Sequence, residues 1–238
     1  MNTASYQQRR GQIEHYFDRT AVKAWEQLTS NAPVSGIRAT VRAGRDRMRA
    51  TLLSWLPEDL SGRRVLDAGC GTGALAVEAA RRGAQVVAID LSPQLVEVAR
   101  ERIAALPDGA ALLQRIDLRS GDMLDVTLGA FDHVVAMDSL IHYSMFDAVR
   151  VVETLAWRTR GSIAFTFAPR TPLLAAMRSV GRLFPRGNRA PWIEPMPEAE
   201  LRRLLQAAAG LGGWQAGRTQ RVASGFYTSQ ALELGRAG

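Results

Sequence analysis

Val65-Leu66-Asp67-Ala68-Gly69-Cys70-Gly71-Thr72-Gly73 decides the fold. A short apolar run that ends in an acid and passes into alternating glycines reads as a strand turning sharply into a helix. Glycine reaches left-handed backbone angles at little cost and lets a ligand lie against bare backbone. Taken alone, Gly69-x-Gly71-x-x-Ala74 also fits a loose dinucleotide fingerprint, so the glycines do not choose the ligand. Asp67 does more. It stands at the end of the strand, where it repels a pyrophosphate and suits a cationic amino-acid head group.

Outward from that turn, strands alternate with helices. A helix is expected over 74–82, stopped by Gly83, and a second strand over 86–90. Ser92 and Pro93 supply an N-cap and a proline at the first helical position of a helix running to about residue 105. Further strands are expected over 111–118, 131–137 and 162–167, with a helix over 146–158 joining the last two. This rhythm implies βαβ units and a mainly parallel sheet. Residues 1–56 read as helical, broken near Asn31-Ala32-Pro33, and Pro57 ends them. Residues 171–197 interrupt the rhythm with an apolar helix and a Pro/Arg-rich loop, and read as an insertion over the functional edge of the sheet. A helix over 198–209 and strands near 215–222 and 226–234 follow.

Two more acids complete the cofactor reading. Asp90 ends the second strand, placed to accept hydrogen bonds from ribose hydroxyls. Gly121-Asp122-Met123 follows the third, with Asp122 facing an adenine amino group beside an apolar Met123. A nucleoside with an amino-acid tail and no phosphates is S-adenosylmethionine. The plainer alternative is that Gly73 and Ala74 only let the helix pack close, and that Asp90 only caps the next turn. The arrangement of glycines and acids, with Phe131-Asp132 leading the fourth strand, resembles the class I methyltransferases. The expected fold is α/β, a Rossmann-like class I methyltransferase sheet. Its parts are an N-terminal helical lid (1–56), a cofactor-binding core (57–170), a substrate-cap insertion after strand five (171–197) and a C-terminal completion of the sheet (198–238).

Composition sets outer bounds. The 238 residues suit one α/β domain with modest additions. Cys70 is the single cysteine, so no intrachain disulfide forms and a reducing, cytoplasmic compartment is expected. No apolar run approaches the ~20 residues of a membrane span, and no hydrophobic signal segment opens the sequence. The net charge of +7 is almost wholly arginine, Lys23 being the only lysine. Such a surface favours anionic partners, whether nucleic acid, anionic lipid or a carboxylate-bearing substrate, and equally describes an arginine-rich solvated face.

The acceptor side is expected where strand four ends, in Met137-Asp138-Ser139-Leu140-Ile141-His142-Tyr143. No Asn/Asp-Pro-Pro-Tyr run stands there, which disfavours methylation of adenine bases. His142 is the candidate catalytic residue, as a general base, a hydrogen-bond donor to a carboxylate, or an axial ligand to a metal in the substrate. A partly buried structural histidine is the alternative. His133, inside strand four, reads as structural, and His15 carries no role.

Several motifs then resemble the magnesium-protoporphyrin IX O-methyltransferases, in particular the bacteriochlorophyll-pathway members. They are Tyr16-Phe17-Asp18-Arg19-Thr20 with Trp25, Val41-Arg42-x-Gly44-Arg45, the 137–143 loop, Phe165-Thr166-Phe167-Ala168-Pro169 with Thr171-Pro172-Leu173-Leu174, and Gly225-Phe226-Tyr227. The resemblance spans nearly the whole chain. It implies esterification of one propionate of Mg-protoporphyrin IX, with magnesium belonging to the substrate and no protein-bound metal. Cofactor contacts would come from Tyr16, Arg42, Asp67, Gly69, Gly71, Asp90, Leu91, Asp122, Met123 and Met137. Substrate contacts would come from Trp25, Tyr143, Arg186, Arg189 and Trp192, with Met177 and Phe184 as further walls of an apolar slot. The resemblance also implies a magnesium-chelatase subunit as a partner. Separately, the expected apolar helix over 173–184, with Arg178 and Arg182 on one face, suits peripheral contact with an anionic membrane and equally describes an ordinary amphipathic cap helix. There is one departure. Plant and cyanobacterial members carry a tyrosine shortly after the tryptophan matching Trp25. Leu28-Thr29 stand there in this chain, so no catalytic tyrosine is carried over.

Two other functions stay open. One is a phenolic or quinone-precursor O-methyltransferase, in which His142 must abstract a proton and the rate falls as histidine protonates. The other is a basic nucleic-acid-binding protein that keeps only the fold, although nothing in the sequence resembles an appended RNA module.

Overall fold

The computed structural model describes residues 4–19, 36–170 and 193–236. Two helices open it, α1 (Ala4–Arg19) and α2 (Gly36–Ser54). Strands and helices then alternate: β1 (Arg64–Ala68), α3 (Ala74–Arg81), β2 (Gln85–Asp90), α4 (Pro93–Ala104), α5 (Gly109–Leu113), β3 (Ile116–Ser120), β4 (Phe131–Ala136), α6 (Met145–Ala156) and β5 (Thr159–Phe167). After the 171–192 segment come α7 (Glu198–Ala207) and the hairpin β6 (Trp214–Ser224) and β7 (Tyr227–Arg236).

The sheet order is β3-β2-β1-β4-β5-β7-β6. The first five strands are parallel, and β7 pairs antiparallel with both β5 and β6. From β1 the chain winds outward through β2 to β3, then returns to β4 on the other side. A crevice therefore opens between the carboxyl ends of β1 and β4, the place where open α/β sheets hold ligands.

Period-two alternation along the strands sorts the core into two layers. Leu66, Val87, Val134, Ile163 and Phe165 face α6, α7 and α1. Val65, Val86, Ala88, Val135 and Ala164 face α2, α3 and α4. Because both faces are covered, the central strands read as unbroken apolar runs. Helix starts follow local chemistry. Ser92 Oγ accepts the Leu95 N–H at the start of α4, with Pro93 behind it, and Ser144 Oγ accepts the Asp147 N–H at the start of α6.

The third strand corrects the sequence reading. Strand was expected over 111–118, whereas residues 109–113 form the short helix α5 and β3 begins at Ile116. Ala110, Ala111, Leu112 and Leu113 are apolar but strong helix formers, and Arg115 N–H closes the turn on the Leu112 carbonyl at 2.9 Å.

Candidate active site

The glycine turn closes on itself through the Gly73 N–H to the Cys70 carbonyl at 2.9 Å and is stitched to β2. Gly69 and Cys70 N–H both donate to the Ile89 carbonyl, at 2.8 and 3.0 Å. Gly71 N–H donates to Asp90 Oδ2 at 2.9 Å, while Ser92 N–H donates to Asp90 Oδ1 at 3.0 Å. Asp90 thus caps the following turn, as the plainer sequence reading held, and each of its oxygens retains a lone pair for a further donor. Gly73 fits the plainer reading as well: a Cβ there would sit 3.3 Å from Ala99 Cβ and Ile103 Cδ1 of α4. Gly69 is different. It lies at φ +85, and its Cβ would fall 2.5 Å from Ser139 Cβ, so the loop after β4 rests directly on the turn after β1.

Two buried polar atoms in this crevice have no hydrogen-bond partner among the described residues, Asp67 Oδ2 and Ser139 Oγ. Asp67 is 1% exposed. Burial, then the charge of Asp90, pushes its carboxyl up to about 7, against one opposing hydrogen bond from the Ala76 N–H. A buried carboxylate oxygen without a donor costs several kcal/mol. An ammonium group arriving there removes that cost, so the residues present fit the amino-acid head of S-adenosylmethionine. Burial and the charges of Asp67 and Asp90 push the Cys70 thiol well up, which leaves it inert.

Asp122 sits beyond β3 as expected, and helix α1 reaches it. Tyr6 Oη donates to Asp122 Oδ1 at 2.7 Å, Arg10 bonds Oδ2 at 2.9 Å, and the Leu124 N–H adds a third donor at 2.9 Å. Tyr6 stacks on Tyr143 with ring centroids 5.0 Å apart. Its phenol is pushed up by burial first, then by Tyr143 and Asp122. Ser5 Oγ donates to Asp147 at 2.9 Å and Arg9 pairs with Glu194 at 3.3 Å, so one face of α1 is tied to three separate segments around the crevice. Nothing in the sequence marks Tyr6 or Arg10, because a polar helix start carries no motif. Arg158 was also missed: its guanidinium bonds the Met123 and Asp125 carbonyls, fixing the loop that carries Asp122.

Met123 and Met137 are buried, Leu91 is half-buried against the core, and Tyr16 and Arg42 are half-buried on α1 and α2. His142 is buried in a short 3₁₀ turn after β4, inside the acceptor loop. Tyr143 is buried beneath Tyr6. His133 takes the structural role expected of it: Nδ1 lies 2.8 Å from Ser162 Oγ of the neighbouring strand, and burial lowers its pKa. Trp25, Met177, Phe184, Arg186, Arg189 and Trp192, with the 173–184 helix, lie outside the described residues.

Four exposed apolar side chains neighbour the elements around this crevice. Ile37, Phe146, Ile193 and Phe226 are exposed large hydrophobics. Phe146 opens α6 just past the acceptor loop. Ile193 adjoins Glu194, whose N–H donates to the Ile141 carbonyl at 2.8 Å. Phe226 follows Gly225, whose Cβ would meet Thr40 one turn from Ile37. Among the described residues the other two exposed large hydrophobics, Val126 and Trp157, precede β4 and β5 toward the opposite edge.

Sheet order, glycine turn and the acids at the ends of β1 and β2 define a class I S-adenosylmethionine-dependent methyltransferase. Residues 65–160 match the methyltransferase-domain family model, and residues 136–236 match the model of the magnesium-protoporphyrin IX methyltransferase C-terminus. The chain is 49% identical over 231 residues to the magnesium-protoporphyrin O-methyltransferase of Rhodobacter capsulatus, covering 97% of this chain and 98% of that one. It superposes with a TM-score of 0.81 on the magnesium protoporphyrin IX methyltransferase of Synechocystis with bound SAH, at 27% identity, covering 96% of this chain and all of the other. It is also 38% identical to a ubiquinone biosynthesis O-methyltransferase of Xanthomonas oryzae, but over 140 residues, 55% of either chain. The chain belongs to the magnesium-protoporphyrin O-methyltransferase family.

Proposed function

We propose that this protein transfers a methyl group from S-adenosylmethionine to a propionate carboxylate of Mg-protoporphyrin IX. The observation that carries the reading is where the likeness lies. The porphyrin-methyltransferase model matches residues 136–236, which hold the acceptor loop, β5 and the β6–β7 hairpin, whereas the quinone-pathway relative matches about half the chain. The exposed apolar side chains of Ile37, Phe146, Ile193 and Phe226 suit a broad hydrophobic acceptor.

In this reading Asp67 holds the ammonium and Asp90 the ribose hydroxyls, Leu91, Met123 and Met137 wall the adenosine, Asp122 faces its amino group, and Gly69 and Gly71 let the tail lie on backbone. When bound, S-adenosylmethionine supplies a methyl on a cationic sulfur, so that attack by a carboxylate oxygen forms the O–CH₃ bond and leaves a neutral thioether. A propionate with a pKa near ~4.3 is already ionised at neutral pH, so no base is required. The protein's task is alignment and exclusion of water, and positioning contributes roughly 7–11 kcal/mol. His142 holds the reacting carboxylate through a single contact, because a bidentate arginine clamp would blunt the nucleophile. Residues 1–56 serve as the lid and 171–197 as the cap, with Tyr143, Trp25, Trp192, Arg186 and Arg189 on the porphyrin. No helix among the described residues is long and apolar enough to cross a membrane. Hand-over from a magnesium-chelatase subunit follows from the family and peripheral membrane contact from the apolar, arginine-bearing 173–184 sequence, and co-sedimentation with each partner tests them.

The deciding assay uses labelled S-adenosylmethionine with Mg-protoporphyrin IX beside the metal-free porphyrin. A monomethyl ester formed faster on the magnesium form is expected. SAH binding with no porphyrin turnover would sink the reading and favour a phenolic acceptor.

A further inference from the structure

Asp138 follows β4 and is the one non-glycine residue with positive φ among the described residues, at φ 53. Its carboxylate is almost closed off from solvent and gathers donors from three distant elements. Arg45 of α2 pairs with Oδ2 at 2.6 Å, the side chains being 18% and 5% exposed. Tyr227 Oη donates to Oδ2 at 3.1 Å, Ser229 Oγ to Oδ1 at 3.0 Å and Thr166 Oγ1 to Oδ1 at 3.1 Å. The Asp138 N–H itself donates to Thr166 Oγ1 at 2.7 Å, which closes a ring between loop and strand.

The surroundings are built to bring Arg45 there. Gly44, its neighbour, has no room for a side chain, since a Cβ would lie 2.5 Å from the Tyr227 ring. Gly225 gives way to Thr40 in the same manner, at 2.3 Å. Thus α2, the β6–β7 hairpin and the acceptor loop meet at one carboxylate. Buried ion pairs are poor sources of stability, because desolvation offsets attraction, but they fix geometry. What this one fixes is the run Ser139–His142, which begins on the cofactor turn at Gly69 and ends at the candidate catalytic histidine.

We propose that Asp138 is a positioning residue for methyl transfer, and that its ion pair with Arg45 couples the seating of α2 to the placement of His142. Its carboxylate is taken up by protein donors, so it acts through the loop rather than on the reactants. The inference deepens the porphyrin esterification proposed above and rests on it for its kinetic readout.

The test compares wild type with Asp138→Asn, Arg45→Met, Arg45→Lys and the Asp138→Asn/Arg45→Met double variant. Asparagine tolerates positive φ better than other side chains and keeps one accepting oxygen, so the fold persists while the charge goes. Expected is a fall in kcat of about 10²-fold for Asp138→Asn, the scale of a misplaced reacting group. SAH affinity by calorimetry and the porphyrin KM should stay within about threefold, and the double variant should be no slower than the slower single one, as members of one unit behave. Arg45→Lys recovers part of the rate lost in Arg45→Met. Amide hydrogen exchange over 139–143 rises in Asp138→Asn, a readout independent of the acceptor. Unchanged kcat and exchange overturn the inference, as does a loss of SAH affinity parallel to that of kcat, which would make Asp138 a cofactor ligand. Additive effects in the double variant overturn the coupling to Arg45. Wild type that binds SAH but esterifies no porphyrin sinks the functional reading instead, and the exchange measurement still decides whether Asp138 orders the loop.

Discussion

The two sides of the crevice are held together over very different distances along the chain. On the cofactor side, Asp90 secures Gly71 across 19 residues and Ser92 across 2. On the acceptor side, Asp138 meets Arg45 across 93 residues and Ser229 across 91; on the cofactor side only the adenine end departs from the local pattern, where Tyr6 of α1 reaches Asp122 across 116. The first side is a cradle made by one βαβ turn and its neighbour. The second is an assembly of parts contributed by the whole chain. The cofactor side should therefore fail by losing ligand, and the acceptor side by losing rate while ligand still binds.

Gly69→Ala is the strongest challenge to the cofactor half. A methyl 2.5 Å from Ser139 Cβ, on a backbone at φ +85, combines overpacking with left-handed strain. Together these are worth about 3–4 kcal/mol. SAH affinity should fall by a few hundredfold, and calorimetry showing a change under tenfold would break the contrast. His142→Ala should do the reverse. We expect kcat for porphyrin esterification to drop about 10²-fold with SAH binding intact, and a parallel loss of SAH binding would erase the distinction between the two halves.

A smaller effect comes from pH. Burial and Asp90 push the Asp67 carboxyl up to about 7, and an ammonium partner needs the ionised form. Below about pH 7, SAH affinity should fall close to tenfold per unit, because binding must then expel a proton. The linkage to stability runs the opposite way. With the folded pKa above its unfolded value, the ligand-free protein holds the extra proton between about pH 4 and 7, so its stability declines as pH rises through that window. Asp67→Asn should flatten both profiles. Gly44→Ala is the mildest: crowding Tyr227 should cost about 1–3 kcal/mol, read as a Tm lower by several degrees with SAH affinity unchanged.

The same contrast explains what could be read from the sequence. The glycine turn, Asp67 and Asp90 were legible because motif and partner lie in adjacent elements, and because the strands alternate with helices at regular spacing. Asp138 sat inside a quoted motif, as did Arg45 and Tyr227, yet nothing in their spacing says that they meet. Only the sheet order, which sets β7 against β5, brings them together. The third strand was misplaced for a different reason. Ala111, Leu112 and Leu113 are apolar enough for a buried strand, and the choice between helix and strand was made by propensity rather than by pattern.

Strand β7 lies inside the sheet although every other strand precedes it in the chain. During synthesis, β1 to β4 and the glycine turn emerge first, while Tyr227 and Ser229 have yet to be added. Ser229 lies 91 residues after Asp138, which at ~5–20 residues per second is roughly 5–20 s of translation. Through that interval the nascent chain has the makings of a nucleoside cradle and already carries Arg45, but lacks the Tyr227 and Ser229 donors to its acceptor loop, so methyl-transfer competence arrives only with the closing hairpin.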